Sequence, residues 1–287
     1  MSITGQQVND SSGKSANVKQ KKKKSFTLVE IVFTITIIGI LLAIFLPAMS
    51  AIKLSAQKVK DASNLKKIAE AWYERTINRG WTGKFADGGT VLDVEGGDFW
   101  LTGYIERLAG EGMNSASEIV LNDPHVWVSP GDKYASKIVK ESICHFDPDI
   151  KKVVVTYPSW NDGYFTNVDN SLFAGYFVFS YCHIIFASTS NIPLDTTPLA
   201  FTRGLCTDGT WDEKAGLYGS KGGYVAFCDG HVTWFDGTKP ARFLKWDQSG
   251  YTSDIRYAVP TNSGITCGHQ NIYKGSNTKL ITWDHAP

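Results

Sequence analysis

The residues able to do chemistry fall in three places. The first is Glu30, an acid in the run Phe26-Thr27-Leu28-Val29-Glu30 that continues from Ile31 to Leu46 without a charge and ends at Pro47. A carboxylate one turn into so apolar a helix costs on the order of 2.5–3.5 kcal/mol unless it reaches an interface or a cation. Its chemistry would therefore be charge pairing. The second is the loop Asp208-Gly209-Thr210-Trp211-Asp212-Glu213, where Asp208, Asp212 and Glu213 offer hard oxygens at close spacing and calcium is the cofactor they could hold. The third is the set Cys144, Cys182, Cys206, Cys228 and Cys267, all downstream of the apolar run and so suited to an oxidising compartment. Five is odd, so at most two bridges can form, in fifteen ways; Cys206 with Cys228 is a candidate because both flank one hairpin region. Cys228 and His231 would face each other across the Asp229-Gly230 turn, but zinc needs further ligands that spacing does not identify. There is no Gly-x-Ser-x-Gly elbow, no His-Glu-x-x-His, no phosphate loop and no papain-like cysteine signature, so no catalytic residue is assigned and an enzyme is not expected.

The elements that must position these groups begin with a long helix. From Phe26 to Leu46 the apolar run would extend about 31 Å, enough to cross a bilayer core. Lys21 to Lys24 precede it and would hold the N-terminus in the cytoplasm by the positive-inside rule. Beyond Pro47 the pattern turns one-sided: Ile52, Ala56, Val59, Ala62, Leu65, Ile68, Ala69 and Trp72 recur at three- and four-residue intervals, with lysines mainly between them. One helix from Phe26 to about Asn78 is expected, its first half in lipid or a filament core and its second half packed on a globular head. Pro47 should kink or locally melt it near the membrane surface, and Asn78-Arg79-Gly80 supplies its stop.

This N-terminus resembles that of type IV pilins and of the pseudopilins of type II secretion. The resemblance implies that a prepilin peptidase removes residues 1–25 by cutting between Ser25 and Phe26, and that the new amino group of Phe26 is methylated. It also implies a role for Glu30: in a filament the ammonium of one subunit's Phe26 can pair with Glu30 of its neighbour, neutralising a buried charge and setting register. Ser25 stands where family members most often carry Gly. The partners implied are the prepilin peptidase, other pseudopilin subunits in a homo-oligomeric filament, the secretion system's inner-membrane platform and the membrane itself. The implied location is the inner membrane, single-pass with the head periplasmic, and then a periplasmic filament. An uncleaved signal anchor is the plainer alternative; a secretory signal peptide fits less well, because the run is long and no Ala-x-Ala-like site follows it.

The organisation expected is a leader at 1–25, a transmembrane or filament-core helix at 26–47, its amphipathic half at 48–80 and a head at 81–287. The fold class expected is α+β and pilin-like, the long helix packed on an antiparallel sheet with large loop insertions. Lys152 to Tyr157, Phe173 to Phe186 and Tyr224 to Phe235 read as strands. In the last, Asp229-Gly230 favours a two-residue primed turn, which would put Val225 and Phe227 on one face with Val232 and Trp234, against the helix. The same segment, Phe227-Cys228-Asp229-Gly230-His231-Val232, resembles a C-terminal motif of pilin-like proteins named for a His, nine residues and Asp-Gly, with Gly219 where that His would stand. Asp87-Gly88-Gly89 and Asn161-Asp162-Gly163 read as turns.

Charge argues against nucleic acid as a partner. Of the 29 basic side chains, six lie in the leader, so the remainder carries 23 basic and 27 acidic groups and a net charge of about −4, with no basic stripe. Nine Trp and twelve Tyr are many for this length. Most would pack the core, but exposed ones could stack on sugar faces, which leaves a membrane-anchored ligand-binding protein as the alternative to a structural subunit. An extracellular type IV pilin is a close variant of the latter.

Overall fold

The computed structural model describes residues 27–78, 104–105, 108–110, 115–132, 144–155, 180–186, 191–261, 263–267, 279–281 and 283–285. The leader with Ser25 and Phe26, the glycine turns at 87–89 and 161–163 and most of the expected strand before Tyr181 lie outside them. The chain divides into two compact units, 1–51 and 52–287.

In the first unit the chain is helical from Leu28, and α1 runs Leu28–Tyr73 before a wider final turn at Glu74–Asn78. Leu28–Leu46 is long and apolar enough to span a membrane, with mean hydropathy 2.7, and none of it is buried within the chain. Within it the Thr34 and Thr36 hydroxyls donate back to the carbonyls of Ile31 and Val32, each at 2.8 Å, which satisfies them without water. The helix continues through Pro47 without a break, so the local melting expected there is absent.

In the second unit the strands are β1 (Cys144–Asp147), β2 (Lys152–Val155), β3 (Tyr181–Ile185), β4 (Pro198–Thr202), β5 (Gly222–Phe227), β6 (Val232–Asp236), β7 (Phe243–Leu244), β8 (Tyr251–Thr252), β9 (Gly264–Cys267) and β10 (Trp283–His285). Six form one antiparallel sheet in the order β10-β9-β3-β4-β5-β6, while β1 with β2 and β7 with β8 make separate ribbons. Every residue of β3 and β4 is buried, so the centre of the sheet is covered on both faces. An α+β class with a helix and an antiparallel sheet is therefore what the chain adopts.

The amphipathic half of α1 is buried as expected at Leu65, Ile68, Ala69 and Trp72, with the Trp72 ring edge-on to Phe186 at 5.5 Å. One turn earlier the expectation fails. Ile52 and Val59 are 58 % and 71 % exposed, and the face turned to the head is instead made by Gln57, Lys58, Asp61 and Asn64. Polar partners on the head accept that face, so hydrophobic periodicity alone picks the wrong side.

The hairpin register is also one residue away from expectation. Tyr224 lies opposite Trp234 and Ala226 opposite Val232, which places Val225 with Thr233 on the other face. The cause is the loop. The Phe227 amide donates to His231 O and the Gly230 amide to Phe227 O, so three residues, Cys228 to Gly230, connect the strands, and only Gly230 takes positive φ, at 92°. His231 consequently stacks on Phe227, 4.2 Å between ring centres, and does not face the buried Cys228; the zinc geometry considered for that pair is not formed.

The disulfide expectation is corrected as well. Cys182 bonds Cys267, its direct partner in the β3–β9 register, while Cys206 and Cys228 are buried and not bonded to one another. Cys228 hangs in the β5–β6 loop and Cys206 bridges to Leu280, so the two sit on different connections of the sheet.

Candidate functional site

At the start of α1, Thr27 and Glu30 form a reciprocal cap. The Thr27 amide and hydroxyl donate to Glu30 Oε2 at 2.8 and 3.0 Å, and the Glu30 amide donates to Thr27 Oγ1 at 3.2 Å. This is a capping box, Thr-x-x-Glu, in which two amides that lack intrahelical partners are satisfied by side chains. The acid in the apolar helix thus has a local solution within its own chain: it sits at the positive end of the helix dipole and binds the first turn. The spacing of Thr27 and Glu30 carried this signal, and charge pairing alone did not capture it. A carboxylate held there is placed to receive a cation arriving at the N-terminus.

The three acids of the 208–213 loop do not converge. Asp208 Oδ1 accepts from the Thr210 amide and hydroxyl at 3.1 and 2.6 Å, and its Oδ2 accepts from Lys279 Nζ at 2.9 Å. That ammonium and the Thr210 donors hold the Asp208 carboxyl down at about 2. Asp212 Oδ1 turns to the amides of Lys214 and Ala215, at 2.9 and 2.7 Å, while Glu213 faces solvent. Each carboxylate is used in its own turn. Among the described residues no three His, Cys, Asp or Glu side chains come together in a way that could hold a metal, so the residues considered for calcium do not fit it here.

The most organised polar site is one that sequence analysis did not anticipate. Asp61, fully buried on α1, accepts from the hydroxyls of Tyr181 (2.8 Å), Ser129 (2.8 Å) and Tyr218. Asn64 donates to the Tyr181 hydroxyl at 3.1 Å. Burial pushes the Asp61 carboxyl up, against the opposing pull of these hydroxyl donors, and it pushes Tyr181 and Tyr218 up as well. Beyond Ser129 the network continues: its amide donates to Ser180 Oγ at 2.8 Å, and that hydroxyl donates to Asp132 Oδ2 at 2.7 Å. Asp132 is held bidentately by Arg203, whose Nη2 lies 2.6 Å from Oδ1 and whose Nη1 pairs with Oδ2. Arg203 Nε completes the pattern by donating to the Ala215 carbonyl at 3.0 Å. Helix, strand β3, the end of β4 and the loops at 129–132 and 215–218 are thereby tied together. Beside it, Lys58 Nζ stands 3.4 Å over the Trp234 ring and 5.7 Å from that of Tyr218, within an edge-to-face cluster that includes Tyr224.

His183 lies in the same layer, wholly buried between the rings of Tyr104 and Trp127 at 5.7 and 5.4 Å. Neither ring nitrogen has a hydrogen-bond partner among the described residues, and burial lowers its pKa to about 3, so it is neutral. The network holds acids, hydroxyls and a guanidinium, but every polar group named in it is engaged in holding elements together.

Comparison with known proteins bears on the N-terminus alone. Residues 20–46 match the family described as the prokaryotic N-terminal methylation motif. No curated protein and no solved structure matches the chain. The chain therefore carries a prepilin-type N-terminal methylation motif on an apolar helix, which supports a protein of the type IV pilin-like and pseudopilin kind, processed by a prepilin peptidase and assembled with other pilin-like subunits.

Proposed function

We propose that the chain is a structural subunit, a pseudopilin of a type II secretion-like filament, and that it has no enzymatic role. It is cut between Ser25 and Phe26, methylated on Phe26, held in the inner membrane by Leu28–Leu46 with its head in the periplasm, and assembled through the secretion system's inner-membrane platform. The observation that carries this reading is the methylation motif lying on a helix of which nothing between Leu28 and Leu46 is buried within the chain. So long an apolar surface needs lipid or other helices around it.

Glu30 is the hinge of the mechanism. In the isolated chain Thr27 occupies its Oε2. In the filament the secondary ammonium of a neighbour's Phe26 pairs with it, in place of or beside the Thr27 donors, and two charges leave the apolar core together. Glu30→Ala should leave membrane insertion intact and abolish filaments, and Glu30→Gln, which can still accept from Thr27 but carries no charge, should also fail to assemble. Filaments of normal yield from Glu30→Gln would show that charge pairing is not what Glu30 supplies. A second reading rests on the exposed rings of Tyr251 and Tyr257, 65 % and 49 % accessible on the small β7–β8 lobe. They suit a displayed head that stacks on polysaccharide, and retention of the chain on a glycan column, lost on Tyr251→Ala, would favour it.

A further inference from the structure

The face that α1 turns to the head changes chemistry partway along. From Leu65 to Trp72 it is apolar and fully buried. From Gln57 to Asn64 it is polar, and each contact is met by the head. Gln57 Nε2 donates to Ser129 Oγ at 3.3 Å, Lys58 lies on Trp234, Asp61 takes three hydroxyls and Asn64 binds Tyr181. Separating the apolar part exposes hydrocarbon to water, whereas separating the polar part exchanges hydrogen bonds with the head for hydrogen bonds with water at small net cost. Neighbouring turns of one helix thus have unequal reasons to stay docked, the condition for opening in separate units.

Asp61 gives the polar part a dependence on protons. The titratable groups that face it are Tyr181 from β3, Tyr218 from the 215–218 loop and Tyr224 from β5, while Lys58 of its own helix turns to the Trp234 and Tyr218 rings. Arg203 is engaged by Asp132, on the far side of Ser129 and Ser180. Among the described residues no cation is in its hydrogen-bond set, so its charge is met by three neutral hydroxyls and the Gln57 side-chain amide.

We propose that Gln57 to Asn64 form a proton-controlled clasp on the head, closed most firmly when Asp61 is protonated and loosened as it ionises, while Leu65 to Trp72 remain docked. The sign follows from burial. A carboxyl whose pKa is raised in the closed state adds stability that is complete below the open-state value of about 3.9 and is lost as pH rises through the closed-state value. The clasp concerns the head unit only and holds whatever surrounds the apolar span.

Hydrogen exchange with mass spectrometry on the full chain in lipid nanodiscs, from about pH 4 to pH 7 and corrected for intrinsic exchange chemistry, tests it. Protection of residues 57–64 should fall with rising pH, by up to about tenfold per pH unit through the titration, while residues 65–72 stay protected. Asp61→Asn should flatten that response. Tyr218→Phe keeps the ring but removes one donor to the carboxylate, so the loss should continue to higher pH and become larger. Loss of protection at 57–64 and 65–72 in concert would overturn the clasp as a separate unit. The same pH response in Asp61→Asn as in the wild type would overturn the assignment to Asp61. Should that variant fail to fold, an unchanged response in Tyr218→Phe would do so alone.

Discussion

Replacing Cys182 and Cys267 together by Ala gives the most quantitative check on the sheet. The two residues are paired across β3 and β9 and lie 85 positions apart in sequence. In the chain-entropy description a cross-link closing a loop of that size removes freedom from the unfolded chain worth about 4.5 kcal/mol at 25 °C. Both side chains are buried, at 0 and 2 %, and Ala leaves no unpaired hydroxyl there, so the loss should be mainly this one. For a unit of this size about 4.5 kcal/mol corresponds to a fall in Tm of roughly 10–15 °C. Tryptophan fluorescence melting of the full chain in detergent would read it, because many of the rings lie in the head. The paired control is Cys206→Ala with Cys228→Ala, which should leave the 182–267 cross-link visible in peptide mapping without reduction. A Tm within about 2 °C of wild type for the Cys182/Cys267 variant, or a mapped bridge between Cys206 and Cys228, would refute the strand order that places β9 beside β3.

Two further substitutions probe the packing around the polar network. Asp132→Ala leaves the buried Arg203 guanidinium without its bidentate partner, and loss of one member of a buried pair costs about 3–5 kcal/mol, measurable as reduced stability in denaturant. Gly223 sits where an added Cβ would come within 2.2 Å of Thr202 Oγ1 and 2.3 Å of the Trp211 ring, so Gly223→Ala should destabilise the head by about 1–3 kcal/mol; an unchanged midpoint would mean that β5 lies farther from Trp211.

Much of the N-terminal architecture was legible in the residues, because one uninterrupted apolar run has one physical solution and Leu28–Leu46 adopts it. The capping box was also there to be read in the spacing of Thr27 and Glu30, but the charge of Glu30 can be met by a neighbour's cation as well as by the local hydroxyl. Strand positions at Lys152, Tyr181 and Tyr224 were visible from β-branched and aromatic runs. What escaped was anything set by contacts distant in sequence. The dipeptide Asp229-Gly230 fits a two-residue turn, but the Cys228 and Asp229 amides bond Thr197 and Leu194 carbonyls, and a three-residue loop accommodates that docking. The disulfide follows from a pairing between strands some eighty residues apart. In α1, Gln57, Lys58, Asp61 and Asn64 fall outside the apolar stripe, and a polar residue on a helix is inward only when the head supplies partners for it. Those partners, Ser129, Tyr181, Tyr218 and Trp234, come from four different stretches of chain.

Entry into a pilin-like filament depends on what happens at the Ser25–Phe26 bond. Intact-mass and N-terminal peptide mass spectrometry of the chain made together with its prepilin peptidase reads that directly. The account predicts a mature chain beginning at Phe26 and carrying a methyl group on its amino nitrogen. A chain that keeps Lys21 to Ser25 under those conditions would contradict it and leave α1 as a plain membrane anchor for the head.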